Sequence, residues 1–297
     1  MIELRSGALR LSLAPEVGGA VAAFERDGVP LFRATSADAI ESGDVRGFSS
    51  YPLVPFSNRI ADATLHWDGA TYALPRYLPG DENAIHGNGW QRAWQVLAVG
   101  NSRATVDLVH DAKRARAREW AFPYRARQAF VLLRHSLKMT LAIANTGTKA
   151  FPCGLGWHPF FPRTADTELC FLARAMWETD AGKLPTRLKR VKATHYFSAP
   201  RALGTTALDN CFTGWRPPAL IRWPERQTQV AIFANTPCRY LVVYVPSGAD
   251  YFAIEPVSHM TDAFNRAAAG ASDTGTHVLA PGEMFSCTMH VSVQHPV

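Results

Sequence analysis

Leu137-Lys138-Met139-Thr140-Leu141-Ala142-Ile143 places an apolar side chain at every second position and runs on to the turn signal Asn145-Thr146-Gly147. A period of two with one apolar face marks a half-buried antiparallel strand. The same grammar recurs on both sides of this stretch. Leu9, Leu11 and Leu13 alternate with Arg10 and Ser12, and the runs Val21 to Glu25 and Val29 to Phe32 flank Asp27-Gly28, a hairpin signal. Trp94 to Val99 and Thr105 to His110 flank Gly100-Asn101-Ser102. Further strands are predicted over Gln229 to Ala234, Tyr240 to Val245, Tyr251 to Glu255 and Phe285 to Val293. Long helical periodicity is almost absent. The 20 prolines and 21 glycines are dispersed along the chain, so none of them gathers into a linker. The predicted fold is all-β: a large antiparallel β-sandwich forming a single unit over residues 1–297.

Composition narrows the class. With 47% hydrophobic and 19% charged residues, the chain lies well away from the polar, highly charged regime of disorder. A net charge of +6 favours solubility without identifying a partner. The densest basic stretch, Lys113, Arg114, Arg116 and Arg118 followed by Arg125 and Arg127, encloses Trp120, Phe122 and Tyr124, which raises a nucleic-acid surface as one reading. The other is a solvated hairpin tip with its aromatics turned inward, and Pro123 argues for a loop there; no nucleic-acid partner is expected. Five cysteines at irregular spacing, with no C-x-x-C pair, fit a reduced compartment and no zinc site. Neither an apolar signal segment nor a run of about 18 apolar residues occurs, so a cytoplasmic protein without a membrane partner is expected.

Four polar positions stand out against apolar, aromatic or glycine-rich surroundings. They are His158 in Gly154-Leu155-Gly156-Trp157-His158-Pro159-Phe160-Phe161, Glu255 in Ile254-Glu255-Pro256-Val257-Ser258-His259, His86 in Ile85-His86-Gly87-Asn88-Gly89-Trp90, and Asp209 in Leu208-Asp209-Asn210-Cys211-Phe212. Aromatic and glycine-rich neighbours around polar groups are the composition of a sugar site. Gly87-x-Gly89 and Gly154-x-Gly156 lack the third glycine and the following helix of a dinucleotide fingerprint. Glu255 and His259 have a helical spacing, but Pro256 and the strand pattern oppose a helix, and the zinc motif H-E-x-x-H is absent. No Gly-x-Ser-x-Gly elbow occurs. Non-covalent proton transfer survives this elimination. A carboxylate inside a buried strand needs a reason: Glu255 is either satisfied by a cation such as Arg59 or is a base tuned by its surroundings.

These blocks, with Pro55-Phe56-Ser57-Asn58-Arg59-Ile60 before them and Asp262-Ala263-Phe264-Asn265 after, occur in an order that resembles the aldose 1-epimerases, the galactose mutarotase family. The resemblance implies a large β-sandwich that interconverts the α and β anomers of a free aldose, with no metal or organic cofactor. Residue by residue, it implies Glu255 as general base, His158 as general acid and His86 as a second histidine near the ring oxygen and anomeric centre. It also implies Arg59, Asp209 and Asn58 as ligands of sugar hydroxyls and Trp90 as an aromatic wall. Trp157-His158-Pro159 and Glu255-Pro256-Val257 depart from the best-known galactose mutarotases, which have an asparagine before the histidine and Glu-x-Gln, and the departure bears on which sugar is bound. Two alternatives stay open. A hexose-phosphate 1-epimerase would use extra arginines, with Arg46, Arg76 and Arg92 near the recognised blocks, whereas a non-catalytic carbohydrate-binding protein would have no use for the acid/base pair. A negative Glu255 beside His158 is expected to raise the imidazole pKa.

Overall fold

The computed structural model describes residues 1–294, so the last three residues of the expected 1–297 unit lie outside the described residues. The alternation in Leu137 to Ile143 becomes the strand Ser136–Asn145, with Leu137, Met139, Leu141 and Ile143 all buried. It pairs antiparallel with Tyr124–Leu133 on one side and Met284–Gln294 on the other, where Met139 sits between Phe130 and Met289. These strands are the middle of a nine-stranded sheet running from Gln95–Val99 to Arg201–Ala202.

A second, eight-stranded sheet carries Pro185–Arg190, Ala175–Thr179, Leu208–Thr213, Tyr240–Val245, Tyr251–Val257, Gly156–Trp157 and Pro52–Leu53 in that order, with Phe160–Pro162 also paired to Tyr251–Val257. Side chains of both sheets, among them Leu141, Met289, Phe252 and Ile254, belong to one continuous apolar core. All pairings within the two sheets are antiparallel, as the sequence predicts of a β-sandwich. An N-terminal four-stranded meander includes the Asp27-Gly28 hairpin, whose two turn residues both have positive φ, at 50° and 78°. The α-helices of the described residues, Ala37–Ser42 and Ala263–Ala268, are six residues each, and no helix is long and apolar enough to cross a membrane.

Two strand limits differ from the sequence reading. Trp94 precedes the strand Gln95–Val99 because its indole Nε1–H donates inward to the Gly89 carbonyl at 2.9 Å. The strand expected to end at Glu255 continues through Pro256 to Val257; beside it the neighbouring chain breaks at His158-Pro159, between Gly156–Trp157 and Phe160–Pro162. A proline inside a sheet is tolerated where ladder pairing is already interrupted. In the basic stretch, Arg114–Arg118 is an exposed 3-10 turn, while Trp120, Phe122 and Tyr124 are buried. Arg125 and Arg127 both grip Asp107, at 2.6 and 3.1 Å.

Candidate active site

Three adjacent strands of the eight-stranded sheet supply the floor of a cavity of about 250 Å³. Successive side chains of a strand point to opposite faces, and the register puts four residues together: Asp209 opposite Tyr244, and Val242 opposite Glu255. Ligand sites for drug-sized molecules run to roughly 300–1,000 Å³, so this one suits a single small ring. A broader cleft of about 770 Å³ between the Thr64–Ala73 hairpin and the helix Ala263–Ala268 has no buried acid/base pair in its walls.

His158 reaches the same cavity from the next chain over. Gly156 pairs at once with Val257 and Leu53, and the His158 backbone N–H donates to the Tyr51 carbonyl at 3.0 Å. Only glycine allows this approach, since a Cβ at position 156 would lie 2.7 Å from Val257 Cγ1 and 2.9 Å from the Pro256 carbonyl oxygen. The result places His158 Nε2 at 3.3 Å from Glu255 Oε1, both side chains buried. Glu255 Oε2 and His158 Nδ1 are buried and make no hydrogen bond among the described residues.

His86 comes from the loop after the short strand Ala84–Ile85 and has a positive φ of 61°. Its Nδ1 accepts the Asn58 backbone N–H at 3.0 Å, and its ring lies 5.4 Å from that of His158. Asn58 Oδ1 in turn accepts the Arg59 N–H at 2.9 Å. Arg59 does not satisfy Glu255; its Nε pairs with Asp81 Oδ2 at 2.9 Å, a carboxylate held by the Asn83 backbone and side-chain amides. Arg59, Asn58, His86, His158, Asp209 and Glu255 all line the one cavity. Trp90 also borders it, but is only 1% exposed. It stacks on Tyr51 at 5.4 Å and donates its Nε1–H to the Gly87 carbonyl, so the expected aromatic wall is shared with Tyr51, Phe160, Tyr244 and Tyr251.

Burial dominates the electrostatics. It lifts Glu255 well above the usual carboxylate range, aided by the charge of Asp209 and opposed by Arg59. It pushes His158 down to about 3, with positive Arg33 adding to the effect. Both shifts favour uncharged partners, a carboxylic acid beside a neutral imidazole. The expectation that a negative Glu255 raises the pKa of His158 therefore fails, because Glu255 itself prefers its proton. The ion pair and the neutral pair are nevertheless two tautomers of one unit holding a single transferable proton. His86 is pushed well below its ordinary value by burial and then by the charges of His158 and Arg59. With Nδ1 accepting from Asn58, a neutral His86 carries its hydrogen on Nε2. Burial also raises Asp209, opposed by Arg59 and Lys183.

Sequence reasoning missed Arg33, Tyr51, Tyr244, Tyr251 and Asp81. Tyr244 and Tyr251, within the predicted strands Tyr240 to Val245 and Tyr251 to Glu255, carried a signal that could have found them. Arg76 and Arg92, considered for a phosphate, pair instead with Glu82 and Glu119, and neither lines the cavity. Among the described residues no cluster of three or more His, Cys, Asp or Glu side chains is arranged to hold a metal ion.

Comparison with known proteins shows the family and the fold. The sequence profile of the family described as Aldose 1-epimerase matches residues 1–292, and the chain belongs to that family. YphB of Escherichia coli K12, an uncharacterized protein, is 32% identical over 301 residues, covering 98% of each chain. A candidate aldose 1-epimerase of E. coli K12, known from its crystal structure, has a TM-score of 0.89 at 28% identity, covering 99% of both chains. A galactose mutarotase-like protein of Clostridium acetobutylicum has a TM-score of 0.87 at 20% identity, covering 99% of this chain and 95% of its own, and shares the fold.

Proposed function

We propose that this protein interconverts the α and β anomers of an aldose by acid/base-catalysed ring opening and closure. The observation carrying this reading is the 3.3 Å contact between His158 Nε2 and Glu255 Oε1 on the wall of a ring-sized cavity. Glu255 takes the proton of the anomeric hydroxyl while His158 gives one to the ring oxygen, and the hemiacetal opens. Rotation about C1–C2 and closure on the other face yields the opposite anomer. This direction of transfer uses the tautomer with the proton on His158, and sugar hydroxyls donating to the Glu255 carboxylate favour it. His86 Nε2–H donates toward the ring oxygen, while Asp209, Arg59 and Asn58 hold hydroxyls. Each positioned acid or base contributes on the order of 10² to 10⁴ in rate. Anomerisation needs no redox partner, and no cofactor is assigned to it.

Polarimetry or NMR exchange spectroscopy on freshly dissolved α-aldoses tests the proposal. Galactose, glucose, xylose and arabinose form the first panel, and catalysed anomerisation of one aldose is the expected result. No acceleration of any neutral or anionic aldose would reject it.

A further inference from the structure

Three arginines line the cavity, and one differs from the others. Arg46 pairs with Asp44 at 2.7 Å and Arg59 with Asp81 at 2.9 Å, whereas Arg33 has no carboxylate partner among the described residues. Arg33 is nevertheless firmly placed. Its Nη2 donates to the Arg46 and Phe48 carbonyls, both at 2.8 Å, and its guanidinium lies 4.0 Å over the Phe160 ring and 4.5 Å over the Tyr251 ring. Nε is buried with no acceptor, and Nη1 makes no hydrogen bond to the described residues. A guanidinium is always charged and carries five donors. Carbonyls and aromatic faces orient such a group without neutralising it.

We propose that Arg33, with Arg46 beside it, forms an anion subsite, and that the preferred substrate is an aldose bearing a phosphate, carboxylate or sulfonate away from its anomeric carbon. This rests on the epimerase reading and narrows its substrate class. The subsite lies along the Phe160–Tyr251 wall, while Arg59 is anchored by Asp81 beside His86. One ring can therefore present its anomeric centre to His158 and Glu255 and its charged substituent to Arg33. Phe160 touches both functions, its ring 4.3 Å from that of His158 and 4.0 Å from the Arg33 guanidinium. An anion at Arg33 would offset the positive field that disfavours the His158 imidazolium, so the substituent that binds also assists the acid.

NMR exchange spectroscopy on the full chain would compare glucose with glucose 6-phosphate, glucuronic acid and the 6-sulfonate of glucose, and the corresponding galactose series. At low salt, kcat/KM for at least one anionic sugar should exceed that of its neutral parent about tenfold or more, as charge-assisted bonds to a guanidinium allow. The most favoured anion identifies the substituent. The preference, read as the ratio of kcat/KM for an anionic sugar to that of its neutral parent, should shrink at high salt, fall several-fold in Arg46→Gln and nearly vanish in Arg33→Gln. If Arg33→Gln fails to fold, the salt dependence and Arg46→Gln carry the test. Neutral sugars turned over as fast as all their anionic counterparts would overturn the subsite and leave the epimerase reading standing. Calorimetry separates the converse case: tighter binding of an anionic sugar with no anomerisation of any aldose would keep the subsite and reject the epimerase.

Discussion

The Asn58 backbone N–H donates to His86 Nδ1 at 3.0 Å, and this bond determines what His86 can offer a ligand. With Nδ1 occupied as an acceptor and burial disfavouring the imidazolium, the free nitrogen is a neutral N–H donor. Nitrogen-15 NMR should find His86 as the Nε2–H tautomer with shifts flat from about pH 5 to 9. A titration of His86 near its ordinary value would contradict this. His86→Ala should cost about 1–3 kcal/mol of stability, because it leaves the buried Asn58 N–H unpaired, and this is read from denaturant unfolding.

Glu255→Gln should remove most activity, about 10² to 10⁴ in rate, while retaining the fold. Its stability has a distinctive sign. Since the native carboxyl prefers its proton, the native state binds more protons than the unfolded chain above the ordinary carboxylate pKa, and wild-type stability falls as pH rises through that window. The amide has no such loss. The melting temperature of Glu255→Gln should match or exceed wild type at pH 7 to 8, with the difference narrowing toward pH 4. A variant that grows relatively less stable with rising pH would show that Glu255 is a stabilised anion.

The pH dependence of kcat/KM should be a broad bell. The acidic limb, marking arrival of a second proton on the pair, should lie well below the ordinary histidine value, since burial pushes His158 down to about 3. The alkaline limb, marking loss of the shared proton, should lie well above the ordinary carboxylate value. Both limbs belong to the coupled pair. His158→Asn should shift or abolish the alkaline limb, and an unchanged limb in that variant would pass the role of acid to His86.

Asp209 separates binding from chemistry. It lines the cavity two strands across from Glu255. Asp209→Asn should chiefly raise KM, and His158→Asn should chiefly lower kcat. Steady-state kinetics showing the reverse split would exchange the two roles.

Much of the fold was legible because strand alternation is a local property: Leu137 to Ile143 announced both its strand and its buried face. The polar stations were legible because a charge in Tyr251 to Val257 is anomalous in an apolar strand. Gly156 was visible only as a residue. Its purpose, allowing one chain to approach Val257, depends on a partner a hundred positions away. Arg33 left no trace because its distinction is an absent carboxylate, and Arg59 and Arg33 look alike until Asp81 is placed beside one of them. The protonation of the Glu255–His158 pair was misread for a related reason: proximity was inferred, but the extent of burial that reverses its effect was not.

The pairing of Val242 with Glu255 and of Tyr244 with Asp209 ties the cavity to sheet registration. A slip of one residue between these strands would turn Glu255 toward the apolar side of the sheet, since facing alternates at every position. Such a chain could be compact and rich in strand yet lack the acid/base couple. Recovery of turnover during refolding would then report correct strand alignment, and it should lag behind the return of β-sheet circular dichroism whenever misaligned sheets form first.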